Sequence, residues 1–231
     1  MEALVRVDNI VKSFGSGNKK VNVLDGINLT IEPNELVALR GRSGSGKTTL
    51  LNLIGALDRP TSGEIYIAGK PIDQYNEKQR SEMRRTQMGF VFQSYGLVPL
   101  MTVEENIEFG LRIAGVPRKE WARMIGESID LVGLTKRAKH RPFELSGGEQ
   151  QRVAIARAIS AKPPIILADE PTAELDSKMA FRIIHAFQEL VKSRTTTIIM
   201  TTHDPGILEI LEHVYTLEDQ TIAYRKNEVT V

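Results

Sequence analysis

One glycine-rich segment restricts the possible folds of this chain more than any other feature. Residues 41–48 read Gly-Arg-Ser-Gly-Ser-Gly-Lys-Thr, which fits the pattern G-x-x-x-x-G-K-[ST]. An apolar run at 35–40 precedes the segment, and a helical pattern at 48–56 follows it. This strand–loop–helix order is the context in which such a loop binds phosphates. The segment therefore predicts an α/β domain with a nucleotide site where the helix begins.

The chemistry of phosphate binding explains the composition of this loop. Glycines allow successive backbone N–H groups to surround anionic oxygens, and the following helix directs its positive end at them. Lys47 offers a mobile charge to the β- and γ-phosphates, and the Thr48 hydroxyl is a hard oxygen ligand for Mg²⁺. The alternative is a chance match, whose odds in 231 residues are roughly one in a hundred. We assign ATP binding to Gly41, Arg42, Ser43, Gly44, Ser45, Gly46, Lys47, Thr48 and Thr49.

Two carboxylates follow an apolar run later in the chain. Residues 165–168 read Ile-Ile-Leu-Ala, and Asp169 and Glu170 come next. In open α/β sheets, ligands bind beyond the carboxyl ends of the strands. There Asp169 can hold Mg²⁺ through water together with Thr48, and Glu170 can orient or deprotonate the attacking water. By itself such a pair is more often a solvated strand end, but a phosphate loop in the same chain favours the catalytic interpretation.

A second glycine-containing helix start lies at residues 145–152, which read Leu-Ser-Gly-Gly-Glu-Gln-Gln-Arg. Ser146 and Glu149 have the spacing of a capping box for a helix that runs to about Ala161. A cap does not require the two glycines, which lower helix stability in the first turn. They are expected where a phosphate approaches the backbone closely. One nucleotide cannot easily reach two helix starts of one subunit, so a second copy of the chain is expected to supply this one.

These three motifs together resemble the ATP-binding cassette (ABC) ATPases, and the resemblance covers essentially the whole chain. It implies hydrolysis of ATP with Mg²⁺ at sites shared by two cassettes, in a homodimer or a pseudo-symmetric heterodimer. It places Asp176 in a loop that crosses the dimer interface, where Glu174 departs from the small residues usual in the family. The residues that it implies for binding the partner subunit's ATP are Ser146, Gly147, Gly148, Glu149 and Asp176.

The resemblance also implies roles for three residues outside these motifs. Gln93 follows a predicted strand at 88–92 and matches the family glutamine that contacts Mg²⁺ and the attacking water. His203 follows a predicted strand at 195–202 and matches the switch histidine near the γ-phosphate. Phe14 matches the aromatic residue that stacks on adenine. Without the resemblance, a lone histidine or phenylalanine at such a position is more often a core residue. The implied catalytic set is Lys47, Gln93, Glu170 and His203.

Composition excludes several classes of function. The hydrophobic fraction of 41% and the charged fraction of 26% are those of a globular protein. A net charge of +1 gives no overall attraction to nucleic acid, so no nucleic acid partner is expected. The absence of cysteine excludes disulfides and thiolate metal sites. No apolar run approaches the roughly 20 residues of a spanning helix, and the first residues lack a signal-peptide core. We expect a cytoplasmic chain that reaches the inner face of the membrane through a permease.

The pattern of elements predicts an α/β architecture. Apolar strands alternating with helices indicate a mainly parallel sheet covered by helices. The resemblance makes this a P-loop NTPase (RecA-like) core with an antiparallel β subdomain and an inserted α-helical subdomain. Strands are predicted at 4–11, 21–31, 35–40, 63–69, 88–92, 164–168 and 195–202, with a hairpin at 213–225. Helices are predicted at 48–56, at 178–193 and through most of 102–161, starting with a capping box at 102–105.

We predict a single domain over residues 1–231. Its nucleotide-binding α/β core, which includes the antiparallel β subdomain, consists of residues 1–93 and 162–231. A helical subdomain at 94–161 carries the Ser-Gly-Gly-Glu motif and is inserted into that core.

Several features resemble the macrolide-exporter and lipoprotein-release group of the family. We therefore expect the ATPase subunit of an efflux or lipoprotein/peptide-handling transporter that drives a separate permease. An import ATPase often carries a further domain after the cassette, and this chain ends at Val231, which disfavours import. The features are the loop at 15–20, Gly-Arg-Ser at 41–43, residues 53–63 and Phe-Val-Phe-Gln-Ser at 90–94.

Residues 94–106 are rich in apolar groups. In transport ATPases this region forms part of a groove that receives a short permease helix, and ordinary core is the alternative. We expect some of Tyr95, Leu97, Leu100 and Met101 to be exposed. Two other functions stay open from the sequence. One is a soluble ABC ATPase that acts on DNA or ribosomes, and the other is a regulatory cassette that gates a membrane protein.

Overall fold

Alternating strands and helices make up the computed structural model, which describes residues 3–193 and 196–227. The strands are β1 (Val5–Phe14), β2 (Val21–Ile31), β3 (Leu36–Arg40), β4 (Ser62–Ile67), β5 (Lys70–Pro71), β6 (Met88–Val91), β7 (Ile165–Ala168), β8 (Thr197–Thr201), β9 (His213–Glu218) and β10 (Thr221–Lys226). The helices are α1 (Lys47–Ile54), α2 (Glu77–Gln87), α3 (Val103–Ala114), α4 (Arg118–Leu131), α5 (Gly147–Ser160), α6 (Ser177–Lys192) and α7 (Pro205–Glu209).

Two sheets organise these elements. A four-stranded sheet has the order β2-β1-β4-β5 and is antiparallel. A six-stranded sheet has the order β10-β9-β3-β8-β7-β6, and only its terminal β9–β10 hairpin is antiparallel. The predicted mainly parallel sheet with an antiparallel β subdomain is therefore confirmed.

The six-stranded sheet separates two apolar cores. Along β3, Val37 and Leu39 point to one face, where they pack with α1, α2 and the four-stranded sheet. Leu36 and Ala38 point to the other face, where they pack with α3, α5, α6 and α7. This alternation follows from the two-residue period of a strand. As a result, α1 and α5 lie on opposite faces of the same sheet.

Local signals in the sequence explain where several helices begin. Thr102 and Glu105 form the predicted capping box at the start of α3, with both reciprocal hydrogen bonds present. Asn76 and Gln79 form another at the start of α2, a helix that the sequence analysis did not predict. Helix α2 is so polar that its apolar periodicity is weak, and the capping box at its start is the main sequence signal for it.

The observed boundaries correct some of the predicted ones. The first strand runs to Phe14 instead of ending at residue 11, because Phe14 still pairs with Val21, the first residue of β2. The helix predicted at 48–56 ends at Ile54, since Ala56 has a left-handed φ of 51°. The strand predicted at 195–202 is observed at 197–201, and residue 195 lies outside the described residues. Among residues 3–193 and 196–227, no helix has the length and apolar character needed to cross a membrane.

Candidate active site

The predicted phosphate loop connects the end of β3 to the start of α1 and is tightly packed. Gly44 and Gly46 adopt φ values of 79° and 98°, a region that strongly favours glycine. At Gly41 a side chain would collide with Ser45 Oγ and would lie 2.5 Å from the carbonyl oxygen of Leu217. All three glycines of the loop are therefore required by its backbone path.

Lys47 is folded across this loop. Its side chain is buried, and its Nζ donates to the carbonyl oxygens of Gly41 and Arg42 at 2.8 and 2.9 Å. Nearby, the Ser45 hydroxyl is buried without a hydrogen-bond partner among the described residues. A buried polar group without a partner costs free energy unless a ligand satisfies it. The loop thus presents a positive charge and an unsatisfied hydroxyl where the helix begins, which suits an anionic ligand.

A short network of hydroxyl and carboxylate groups connects the loop to β7 and β8. The Thr48 hydroxyl donates to the carboxylate of Asp169, 2.9 Å from its Oδ2. The hydroxyl of Thr201, at the end of β8, donates to Asp169 Oδ1 at 2.7 Å. Because β7 and β8 are parallel neighbours, their carboxyl ends bring Asp169 and Thr201 together. Asp169 is therefore held by two hydroxyl groups at the edge of the sheet.

Glu170 extends this network to His203. The backbone N–H of Glu170 donates to Thr201 Oγ1 at 2.8 Å, and Glu170 has a left-handed φ of 47°. Its carboxylate oxygen Oε1 lies 3.2 Å from Nδ1 of His203. The His203 side chain is 69% exposed, so it is free to contact a ligand from outside the chain. The side chain predicted to act on water, Glu170, thus lies in contact with the predicted switch histidine beside Asp169.

Gln93 lies beside this network, whereas Phe14 lies in the other sheet. Gln93 is exposed and lines a cleft together with Thr48 and Asp169. Phe14 lies at the end of β1, in the four-stranded sheet, with 47% of its surface exposed. The Lys12 ammonium lies 4.9 Å from the centroid of the Phe14 ring. The core-residue alternative therefore does not describe Phe14, whose ring faces solvent.

The Ser-Gly-Gly-Glu motif begins α5, as predicted. The Ser146 hydroxyl accepts from the Glu149 N–H, and Glu149 Oε2 accepts from the Ser146 N–H at 2.9 Å. This backbone hydrogen bond holds the pKa of Glu149 below its usual value, and Arg137 pairs with the same carboxylate at 3.0 Å. A contact within the chain requires glycine at position 148, since a Cβ there would lie 2.7 Å from the carbonyl oxygen of Glu174. Close approach of a protein carbonyl thus accounts for this glycine, and the approach of a phosphate to this helix start stays a prediction.

Asp176 occupies the N-cap of α6. Its side chain accepts from the N–H of Met179 at 3.0 Å, which is the usual stabilising contact of an aspartate at a helix start. Asp176 closes a short loop whose residue Glu174 packs on Gly148. The loop and the start of α5 therefore form one continuous surface.

Two residues of the site were missed by the sequence analysis. Thr201 joins Asp169 to the backbone of Glu170, as described above. Arg157, in α5, is partly buried, and its guanidinium donates to the carbonyl oxygens of Tyr95 and Gly96 at 2.9 and 2.5 Å. Burial lowers the pKa of Arg157 from its usual value. The arginine ties the segment after Gln93 to the helix that begins with the Ser-Gly-Gly-Glu motif.

Comparison with protein families defines the class of this protein. The family model described as ABC transporter matches residues 24–173. That match spans the phosphate loop, the Ser-Gly-Gly-Glu motif and the Asp-Glu pair. The chain belongs to this family, and it is an ATP-hydrolysing, nucleotide-binding subunit of an ABC transporter.

Individual relatives narrow the class further. The chain is 42% identical over 219 residues to the lipoprotein-releasing system ATP-binding protein LolD of Geobacter metallireducens, covering 95% of this chain and 97% of that protein. It is 41% identical over 218 residues to the protein of the same system named LolD 1 in Rhodospirillum rubrum, covering 94% and 96%. Among solved structures, the dimeric ATP-binding cassette MJ0796 in a post-hydrolysis state with ADP and Pi has a TM-score of 0.92 at 37% identity, covering 98% of this chain and 100% of that one.

Proposed function

We propose that this chain hydrolyses ATP in the cleft beside Thr48 and Asp169. The residues that the sequence analysis assigns to ATP binding, Mg²⁺ binding and catalysis would act in those roles there. The network from Thr48 through Asp169, Thr201 and Glu170 to His203 is the observation that carries this proposal. The backbone N–H groups of residues 41–49 and the Lys47 ammonium would bind the phosphates. Lys47 would exchange its two carbonyl acceptors for phosphate oxygens, which as charged acceptors form the stronger hydrogen bonds.

The donor set fits Mg²⁺. The Thr48 hydroxyl, the Asp169 carboxylate and the Gln93 amide oxygen are hard oxygen groups around one cleft. Among the residues that the structure describes, no group of three or more His, Asp or Glu side chains could hold a metal ion unaided. In nucleotide sites Mg²⁺ is usually bound by one or two side chains together with substrate phosphates. When bound, Mg²⁺ supplies positive charge against the β- and γ-phosphate oxygens.

The remaining roles are those that the family resemblance implies, and the positions of the side chains support them. Glu170 would orient the attacking water and accept its proton, and His203 would hold the Glu170 carboxylate and contact the γ-phosphate. Gln93, at the mouth of the cleft, would contact Mg²⁺ and the same water. The exposed ring of Phe14 would stack on the adenine.

We further propose that two chains share each ATP. The phosphate loop precedes α1 and the Ser-Gly-Gly-Glu motif begins α5, and these helices lie on opposite faces of the six-stranded sheet. The first turn of α5 therefore serves the phosphates bound by a second copy or by a similar cassette. Asp176 lies in the loop beside that turn, so it would also face the partner. The dimeric cassette MJ0796 supports this arrangement.

Thr201→Val tests the network that carries the proposal. Valine keeps the volume but removes the acceptor of the Glu170 N–H and a donor to Asp169, so Glu170 is no longer held beside the cleft. We expect kcat to fall about 10–100-fold and the free energy of unfolding to fall by about 1–3 kcal/mol. Steady-state ATPase kinetics and urea unfolding measure the two effects.

The same strand provides a control for this variant. Thr197, at the other end of β8, is also buried and accepts the Asn34 N–H at 2.7 Å. Thr197→Val should lose similar stability and keep kcat, and Thr201→Ser should keep both. Equal losses of kcat in Thr201→Val and Thr197→Val would reduce Thr201 to a structural residue.

The partner that we propose is an integral membrane permease with a lipoprotein or peptide substrate, since LolD proteins are named for lipoprotein release. The chain would then be peripheral on the inner face of the membrane. An apolar groove beside edge strand β6 fits a short permease helix. Leu57, Phe92 and Ile113 on this groove are 42%, 36% and 44% exposed. Leu100 in the following segment is 79% exposed, as expected, whereas Tyr95 and Leu97 pack partly against the core.

We also propose that residues 94–161 move as a helical subdomain when the permease is engaged, relative to the core at 1–93 and 162–231. The three helices α3, α4 and α5 lie in this range and pack on each other. Arg157 would transmit that motion to the segment after Gln93.

Ile113→Glu tests the permease groove. The variant places a charge on a half-exposed groove position, so it should abolish capture of a multi-span membrane protein. Introduced into the chain with Glu170 intact, the same change should keep ATP turnover. The measurement is affinity purification of tagged Glu170→Gln chains with ATP from solubilised membranes, followed by mass spectrometry. Ala223→Glu adds the same charge at an exposed position of β10, the opposite edge of the sheet, and should keep the partner. Equal capture by both variants would exclude this groove as the docking site. Capture of ribosomal or DNA-bound proteins alone would contradict the proposal that the partner is a permease.

A further inference from the structure

Glu174 packs on the first turn of α5, the turn proposed above to bind the partner's ATP. Its carbonyl oxygen lies 2.7 Å from the position that a Cβ would take at Gly148. Its carboxylate oxygen Oε2 lies 3.5 Å from the corresponding position at Gly147. Glu174 is nevertheless exposed, so its charge is present at the surface that a second chain would meet.

Glu149 and Glu174 both lie near this turn, but their negative charges are compensated differently. The carboxylate of Glu149 caps the helix and pairs with Arg137 at 3.0 Å. Glu174 has no ion pair with any residue in 3–193 or 196–227. The Tyr95 hydroxyl lies 3.0 Å from the same Cβ position at Gly147, and the pKa of Tyr95 is raised by burial and then by the negative charge of Glu174. A carboxylate at a helix N-terminus is favourable in the isolated chain.

We infer that Glu174 opposes ATP-driven closure of two chains, because its carboxylate places a negative charge at the start of α5. The γ-phosphate of the partner's ATP must bind at that same helix start. This inference rests on the proposed sharing of ATP between two chains. In the open chain the positive end of α5 is partly compensated by Glu174. In the closed dimer the same carboxylate lies beside the phosphate and repels it, since like charges at a few ångströms disfavour each other strongly. Glu174 therefore sets the ATP concentration at which the dimer forms.

The test uses the Glu170→Gln chain, in which hydrolysis does not deplete the dimer. Dimer formation is followed by analytical ultracentrifugation over a range of ATP concentrations with Mg²⁺, with and without Glu174→Gln. The amide keeps the size of the side chain and removes its charge. We expect the midpoint to move to about tenfold lower ATP. The difference should shrink in about 1 M salt, because the repulsion is screened.

Glu189→Gln, also in the Glu170→Gln chain, is the matched control. Glu189 is an exposed glutamate near the far end of α6, and its replacement changes the net charge equally. The midpoint should stay where it is. An unchanged or higher ATP midpoint with Glu174→Gln overturns this inference while the shared site stands. If Glu170→Gln itself forms no dimer at any ATP concentration, the proposed sharing of ATP is wrong, and the inference fails with it.

Discussion

Glu170→Gln should reduce ATP turnover by about 10²–10⁴-fold, the usual contribution of a general base. The amide cannot accept the proton of the attacking water, whereas it keeps the size of the side chain and can still contact Nδ1 of His203 as a hydrogen-bond acceptor. The backbone N–H of Glu170 and its bond to Thr201 are unaffected. Binding of ATP should therefore persist, and the dimer should accumulate with ATP because its release depends on hydrolysis.

Three measurements check this expectation. Phosphate release gives the turnover, a fluorescent ATP analogue gives the affinity, and analytical ultracentrifugation gives the ATP-dependent dimer. Glu189→Gln, remote from the cleft on α6, should behave like the parent chain in all three. Normal turnover by Glu170→Gln would exclude Glu170 as the base. The nearby His203 would then be the group to examine, since it lies 3.2 Å from the same carboxylate.

The parts of the site that the sequence predicts are those built from contiguous residues. The phosphate loop is a local structure, since its glycine conformations and its position between β3 and α1 depend on neighbouring residues. The apolar strand before the Asp169–Glu170 pair likewise predicts the position of that pair. Sequence spacing is enough in both cases because each element ends at the same edge of the sheet.

Contacts between distant segments could not be predicted in this way. Thr201 contacts Asp169 because β7 and β8 are adjacent and in a particular register, and 32 residues separate the two in the chain. A threonine at the end of an apolar strand is the only sequence signal for it. Gly148 shows a related limit, because the sequence indicates that something approaches its backbone closely but does not identify the carbonyl of Glu174. The family resemblance supplied the role of His203, which composition and periodicity do not.

Ser146→Arg should eliminate ATP-dependent dimer formation and, with it, almost all ATP turnover. Ser146 is the N-cap of the helix start proposed to bind the partner's γ-phosphate, and a long arginine side chain there keeps two closely packed surfaces apart. The monomer should still bind ATP, because the phosphate loop lies on the other face of the sheet. Loss of the cap should cost about 1 kcal/mol of stability. Ser146→Ala has the same cap loss without the bulk, so it should still dimerise, at a higher ATP concentration because the hydroxyl proposed to contact the partner's ATP is lost. Urea unfolding measures the cap loss separately.

Mixing two inactive variants distinguishes a shared site from one built within a single chain. Ser146→Arg keeps its phosphate loop, and Lys47→Ala keeps its Ser-Gly-Gly-Glu turn. A mixed dimer therefore contains one site with an intact Lys47 from one chain and an intact Ser146 from the other. Its second site carries both changes, so it binds no ATP and stays open while the intact site closes. The mixture should hydrolyse ATP faster than either variant alone, with a rate that peaks near equal amounts of the two chains. If each site belonged to a single chain, neither chain of the mixture would have an intact site, and its rate would be the average of the two inactive proteins.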